Sequence, residues 1–298
     1  MKVAKLRCTV DRGGNRSSNR PTNDCENGRE DDRKEDNRKN DAQIRDHYRT
    51  LLAAWGPQHW WPAHTPFEVI VGAFLTQNTA WTNVERALSN LRAADLLSLE
   101  GIRRIPLPDL ERLIRPSGYF RQKSQRLKAF VAYLDRQHAG SLVGLFAQPT
   151  NELREQLLAL NGIGPETADS ILLYAGNHPV FVVDAYTRRI LERHEIIPQK
   201  TDYEEIRDLL ERALVRADRK PKVGAKERKS NRDGHNSNAS LPRTVHPPSP
   251  MSTAPRTALA QVYNEMHGLI VGVGKHYCKK SQPHCDGCPL QQFLPRSK

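Results

Sequence analysis

From residue 44 onward the apolar positions of this chain recur at helical spacing. Tyr48, Leu51, Leu52 and Trp55 fall at i, i+3, i+4 and i+7, the stripe of an amphipathic helix. Phe67, Ile70, Val71, Phe74 and Leu75 form a second stripe, so residues 67–91 are expected to make one or two helices. The same spacing predicts helices over 107–114, 123–136, 151–160, 165–174, 184–194, 203–216 and 258–277. Thr150, just ahead of the helix at 151, carries a side chain suited to an N-cap. No stretch alternates apolar and polar residues as a half-buried strand would. The pattern predicts an all-α protein of roughly ten helices.

Two segments break the pattern. Residues 1–44 are dense in Asn, Arg, Asp and Glu and read as a disordered charged tail. Residues 218–256 are rich in Lys, Arg, Ser, Asn and Pro and read as a disordered basic insert. Residues 45–217 and 257–298 remain as one folded domain. A hydrophobic content of 37% agrees that part of the chain is not core. The net charge of +12 invites a nucleic-acid partner. Its distribution weakens that inference: residues 1–45 carry net +3, the insert net +6, and the rest only +3. The insert is expected to add a salt-sensitive grip on phosphates. No apolar run approaches membrane-spanning length, and the basic start lacks the apolar stretch of a secretory signal. An intracellular, cytoplasmic location is therefore expected, with no membrane partner and with disulfides disfavoured.

The densest candidate chemistry lies in residues 160–189, LNGIGPETADSILLYAGNHPVFVVDAYTRR. Gly162-Ile163-Gly164 reads as a tight turn between helices, whose glycines allow positive φ and expose backbone N–H groups to an anion. Pro165 suits the first turn of the next helix, and its dipole favours the same anion. Asp184 follows the apolar run Val180–Val183 and opens another helix, as an N-cap, as a catalytic carboxylate, or as both. Thr167 is a candidate cap or phosphate ligand, and Arg188 and Arg189 candidate phosphate contacts or a solvated face. Trp60, Trp61, Phe67 and Trp81 concentrate aromatic rings in a chain with only 6% of them. They read as core packing or as the walls of a base pocket. Cys278, Cys285 and Cys288 sit at a Cys-x6-Cys-x2-Cys spacing.

The hairpin with its downstream acid resembles the helix-hairpin-helix (HhH-GPD) DNA glycosylases of the endonuclease III superfamily. So do Thr65-Pro66-Phe67-Glu68 with the following LTQNTAWTNVERA, LIRPSGYFRQKSQRLKAF, and YNEMHGLIVGVGKHYCKKSQPHCDGC. Gln58-His59-Trp60-Trp61-Pro62 and Gln77-Asn78-Thr79 look closest to the branch that excises alkylated purines such as 3-methyladenine. The resemblance implies a two-lobed helical fold with an active-site cleft, acting as a monomer on damaged double-stranded DNA in base excision repair, near the nucleoid. Asp184 would then be the catalytic acid. Gly162, Ile163, Gly164, Thr167 and Arg188 would hold the DNA backbone. Gln77 would be the wedge that fills the gap of a flipped base, or a helix-end cap, and Trp60, Trp61 and Phe67 would line the base pocket.

Glu166 departs from the lyase branch, which places a lysine there. A carboxylate forms no imine, so hydrolysis without strand cleavage is expected. A bifunctional glycosylase and abasic lyase acting on oxidised pyrimidines, or a non-catalytic DNA-structure binder, are the alternatives. The three cysteines match the first three ligands of the family's [4Fe–4S] loop, and the fourth position holds Leu294. Water, His276 or His284 would complete such a site. Otherwise zinc would take three Cys and one His, or the loop packs without metal.

Overall fold

The structure is a computed structural model of the chain; it describes residues 23–215 and 247–295, with side chains from residue 35 onward. The chain divides into two units at Lys39, and the second, Asn40–Lys298, contains the candidate site. The described residues are helical, without strands, as the periodicity predicts.

Helix α1 (Asn23–Trp55) corrects the first boundary, because it starts inside the segment read as a disordered tail. Its Glu, Arg and Lys residues are good helix formers even without an apolar stripe, and burial-based reading overlooks them. From Ile44 the expected stripe appears, with Ile44, Tyr48 and Leu51 buried. Residues 1–22 lie outside the described residues.

Helix α2 (Pro66–Thr76) begins where Thr65 Oγ1 accepts the Glu68 N–H at 3.1 Å. The Glu68 carboxylate accepts the His64 N–H at 3.0 Å in return, a reciprocal cap that fixes the start of the helix. The expected 67–91 stretch is two helices, because the turn after Thr76 puts Asn78 at φ 52° before α3 (Trp81–Ala93). The short α4 (Leu99–Arg104) and α7 (Leu142–Phe146) are too brief to show a stripe and are missed in the sequence. Helices α5 (Leu107–Ile114) and α6 (Phe120–His138) follow the predicted positions. Thr150 does not cap α8 (Thr150–Leu158): it lies inside the helix, its hydroxyl 2.9 Å from His178 Nδ1. Helix α9 (Pro165–Ser170) runs on through a buried π-turn, Ile171–Ala175, to α10 (Ala185–Arg193) and α11 (Tyr203–Leu214).

The central helix is α12 (Ala258–His276), buried from Val262 to Gly274. Gly268 lets the Trp60 loop approach, since a Cβ there would stand 3.0 Å from Trp60 and from Gln58. The last ten residues of the segment read as a disordered insert, 247–256, are ordered and packed, which corrects its second boundary. Met251 N–H donates to the Ala63 carbonyl at 3.0 Å, and the Arg256 guanidinium donates to the Leu173 and Met251 carbonyls at 3.0 Å each. Residues 216–246 lie outside the described residues.

One buried network aims the chain at the site. Arg154 grips the buried Asp169 with two bonds, at 2.7 and 3.2 Å. The Tyr203 hydroxyl donates to the same carboxylate at 2.8 Å and accepts the Val183 N–H at 3.2 Å. Burial pushes the Asp169 carboxyl up, against Arg154, which favours its charge. Three helices thus hold the backbone one residue before Asp184.

A second buried group has a consequence for acid stability. Burial, and then the neighbouring His194, push the His47 imidazole down to about 3. The unfolded chain takes up that proton near pH 6.5, while the folded protein refuses it until near pH 3. Stability is therefore present in full above pH 6.5 and is lost as pH falls toward 3, at up to about 1.4 kcal/mol per pH unit. Urea unfolding at several pH values should show a shallower acid loss for His47→Phe than for the parent chain. Parallel curves would remove His47 from the account.

Candidate active site

The Asp184 N-cap shapes its own carboxylate. Oδ1 accepts the Thr187 N–H at 2.7 Å and the Thr187 hydroxyl at 2.8 Å. Oδ2 faces His267 Nε2 of α12 at 3.6 Å. Burial alone would raise this carboxyl, but His267 and the two Thr187 donors hold it below the usual carboxylate range, so it stays ionised. Behind His267, the Tyr174 hydroxyl lies 2.6 Å from Nδ1. Burial keeps that phenol protonated by pushing it well above its ordinary value. His267 thus stands between the Tyr174 hydroxyl at Nδ1 and Asp184 Oδ2 at Nε2. Capping and charge placement coexist in Asp184. Sequence spacing did not reveal His267 or Tyr174, which lie 93 residues apart on different helices.

The hairpin has the expected backbone and different side-chain partners. Gly162 takes φ 82°, and a Cβ there would overlap the Arg126 side chain. Arg126, missed in the sequence, donates to Gln77 Oε1 at 2.8 Å. Gln77 Nε2 donates to the Gly162 carbonyl at 2.9 Å and to Thr167 Oγ1 at 3.0 Å. Both ends of the Gln77 amide are engaged with the hairpin in this structure, not extended as a wedge, and Thr167 faces Gln77 instead of solvent. Ile163 is an anchor: its side chain is buried and its N–H donates to the Leu160 carbonyl at 3.1 Å. Gly164 has an ordinary negative φ and open space around it. Arg188 donates from one Nη to the Thr201 carbonyl.

Beside Asp184 and the hairpin opens a cleft of about 810 Å³. Trp60 and Trp61 line it as expected, and so does Trp81. Trp61 packs edge-on to Trp81 at 5.0 Å and is backed by Tyr174 at 5.1 Å. Phe67 is buried in the core and does not line the cleft, because its position on the α2 stripe turns it inward. Glu166 lines the cleft, and the surrounding walls, then the Asp184 charge, push its carboxyl upward against the pull of His267. Lys275, from the last turn of α12, enters the same cleft with Nζ 5.8 Å from the Trp60 ring centre. Burial lowers its pKa, while Glu85 and Asp184 oppose the shift.

The cysteine loop folds against α10. Arg189 donates to the Cys278 carbonyl at 2.7 Å, and Arg193 reaches Cys278 Sγ at 3.1 Å and the Lys279 and Lys280 carbonyls. Cys278, Cys285 and Cys288 line one small cavity with His284, and Leu294, at the position where the resemblance implies a fourth cysteine, lines it as well. Among the described residues no group of three or more His, Cys, Asp or Glu is placed to hold a metal ion. As placed, with three cysteines, this donor set does not fit four-thiolate ligation.

Comparisons with known proteins agree with this geometry. The HhH-GPD superfamily base excision DNA repair protein family matches residues 71–215. The "Putative DNA repair glycosylase" of Methanocaldococcus jannaschii is 37% identical over 247 residues, 83% of this chain and 93% of that protein. A crystal structure of the H. pylori 3-methyladenine DNA glycosylase MagIII bound to 1,N6-ethenoadenine is 31% identical, with a TM-score of 0.55. It covers 76% of this chain and 91% of its own. A trapped endonuclease III–DNA covalent intermediate shares the fold at 19% identity and a TM-score of 0.60, over 85% of this chain and 95% of that one.

Proposed function

Since the chain belongs to the HhH-GPD superfamily of base excision DNA repair proteins, we propose that its cleft releases alkylated purines, of the 3-methyladenine type, from duplex DNA by hydrolysis. One observation carries this reading: an ionised, half-buried Asp184 stands in an aromatic cleft beside the hairpin. Breaking an N-glycosyl bond builds positive charge at C1′. A carboxylate held charged in a partly dry site stabilises that charge and orients the attacking water. His267, 3.6 Å from Oδ2, keeps the carboxylate ionised and oriented. The hairpin holds the DNA backbone without reading sequence, and the target base leaves the stack to enter between Trp60, Trp61 and Trp81. An alkylated purine is cationic, so the ring faces attract it and its bond breaks without a strong proton donor. The protein acts as an intracellular monomer on damaged double-stranded DNA in this reading. The test is single-turnover release from duplexes carrying 3-methyladenine, an oxidised pyrimidine or no lesion. Release of the oxidised pyrimidine alone would overturn the substrate class, and no release from any duplex would leave a DNA-structure binder.

Lys275 gives the lyase alternative a concrete residue. It is an amine in the cleft with a depressed pKa, where Glu166 offers none. Hydrolysis predicts that borohydride traps no covalent adduct on an abasic duplex, and that product strands break only after alkali. A trapped adduct that disappears in Lys275→Gln would assign imine formation to Lys275 and replace the hydrolytic reading.

A further inference from the structure

The end of the segment read as an insert touches the base pocket from behind. Ser249 Oγ accepts the Ala63 N–H at 3.1 Å and donates to the Trp61 carbonyl at 3.4 Å. Two residues on, the Met251 N–H closes on the Ala63 carbonyl at 3.0 Å. Ser249 and Ser252 brace one another, with Ser249 N–H on Ser252 Oγ at 2.8 Å and Ser252 N–H on Ser249 Oγ at 3.2 Å. The other end of the segment is fastened by Arg256, which bonds the Leu173 carbonyl and reaches back to Met251. Leu173 adjoins Tyr174, the ring that backs Trp61 and bonds His267.

We propose that residues 249–256 are a strap in which Ser249 and Arg256 are positioning residues: they set the place of Trp61, and so the base the cleft accepts. The Trp61 ring packs on Trp81 and Tyr174, and the strap adds the hydrogen bonds on the Trp61 and Ala63 backbone that carry that ring. The inference rests on the reading of the cleft as a purine pocket. It separates the charged part of the insert, residues 218–246, from the ten residues that end it.

The probe is the free base 1,N6-ethenoadenine, whose fluorescence is quenched on stacking against indole. Ser249→Ala should weaken its binding by about fivefold to tenfold, the weight of one or two lost hydrogen bonds, while affinity for an abasic duplex stays unchanged. Ser249→Thr restores the hydroxyl and should recover most of the loss. Replacing 218–246 by a short Gly-Ser linker should leave base binding at the parent level, whereas replacing 218–256 should weaken it at least as much as Ser249→Ala. Acrylamide quenching of tryptophan emission, with Trp61→Phe identifying the responding ring, should rise in Ser249→Ala whichever base the cleft takes. A fall in thermal midpoint with unchanged base affinity and unchanged quenching makes the strap merely structural and overturns the proposal. A parent protein that binds no purine while Ser249→Ala still exposes Trp61 overturns the pocket reading and keeps the strap.

Discussion

Asp184→Asn should lose base release by on the order of 10³-fold in single-turnover assays, with affinity for an abasic duplex little changed. The asparagine keeps the cap, because its carbonyl oxygen still accepts the two Thr187 donors now on Oδ1. It loses the negative charge that faces His267 and the developing charge at C1′. The variant therefore separates the two roles of one side chain. An unchanged thermal midpoint with lost release assigns the residue to chemistry. Release within a few-fold of the parent would remove Asp184 from the mechanism.

The second large effect is on stability. Asp169→Ala strips Arg154 and the Tyr203 hydroxyl of a shared buried acceptor, leaving a half-buried guanidinium with only Glu204, 2.7 Å away. Breaking a buried pair from one side costs about 3–5 kcal/mol. The thermal midpoint should drop on the order of 10 °C for a domain of this size. Asp169→Asn should lose less, because it retains an acceptor for Tyr203. A midpoint for Asp169→Ala within a degree or two of the parent would show that the network is not what holds the Val183–Asp184 backbone.

What the sequence made legible was local. Asp184 declares itself as a cap ahead of α10, and the two glycines with Pro165 declare a turn, because each signal lies within one turn of chain. Trp60 and Trp61 were legible because adjacent rings beside a proline cannot share one helical stripe. Phe67 was misplaced for the opposite reason: its stripe position decides its direction, and that direction is the core. His267, Tyr174, Lys275 and Arg126 carried no local signal. Each meets the site only after helices distant in sequence pack, and the sequence spacing of α12 reads simply as a buried helix. The bond from Arg188 to a carbonyl thirteen residues away carried no local signal either. The cysteine spacing was legible as a loop, and its shortage of a fourth thiolate is plain from Leu294 in the sequence.

Gln77 has one amide and three partners: the Gly162 carbonyl, the Thr167 hydroxyl and the Arg126 guanidinium. Gly162 in turn must lack a side chain for Arg126 to pass. Loss of the side chain at 77, 126 or 167 removes a bond from the others, and a side chain gained at 162 meets Arg126. Over evolutionary time they should behave as a single heritable unit, replaced together or kept together. A lineage that exchanges Gln77 should also carry compensating changes at 126, 162 or 167.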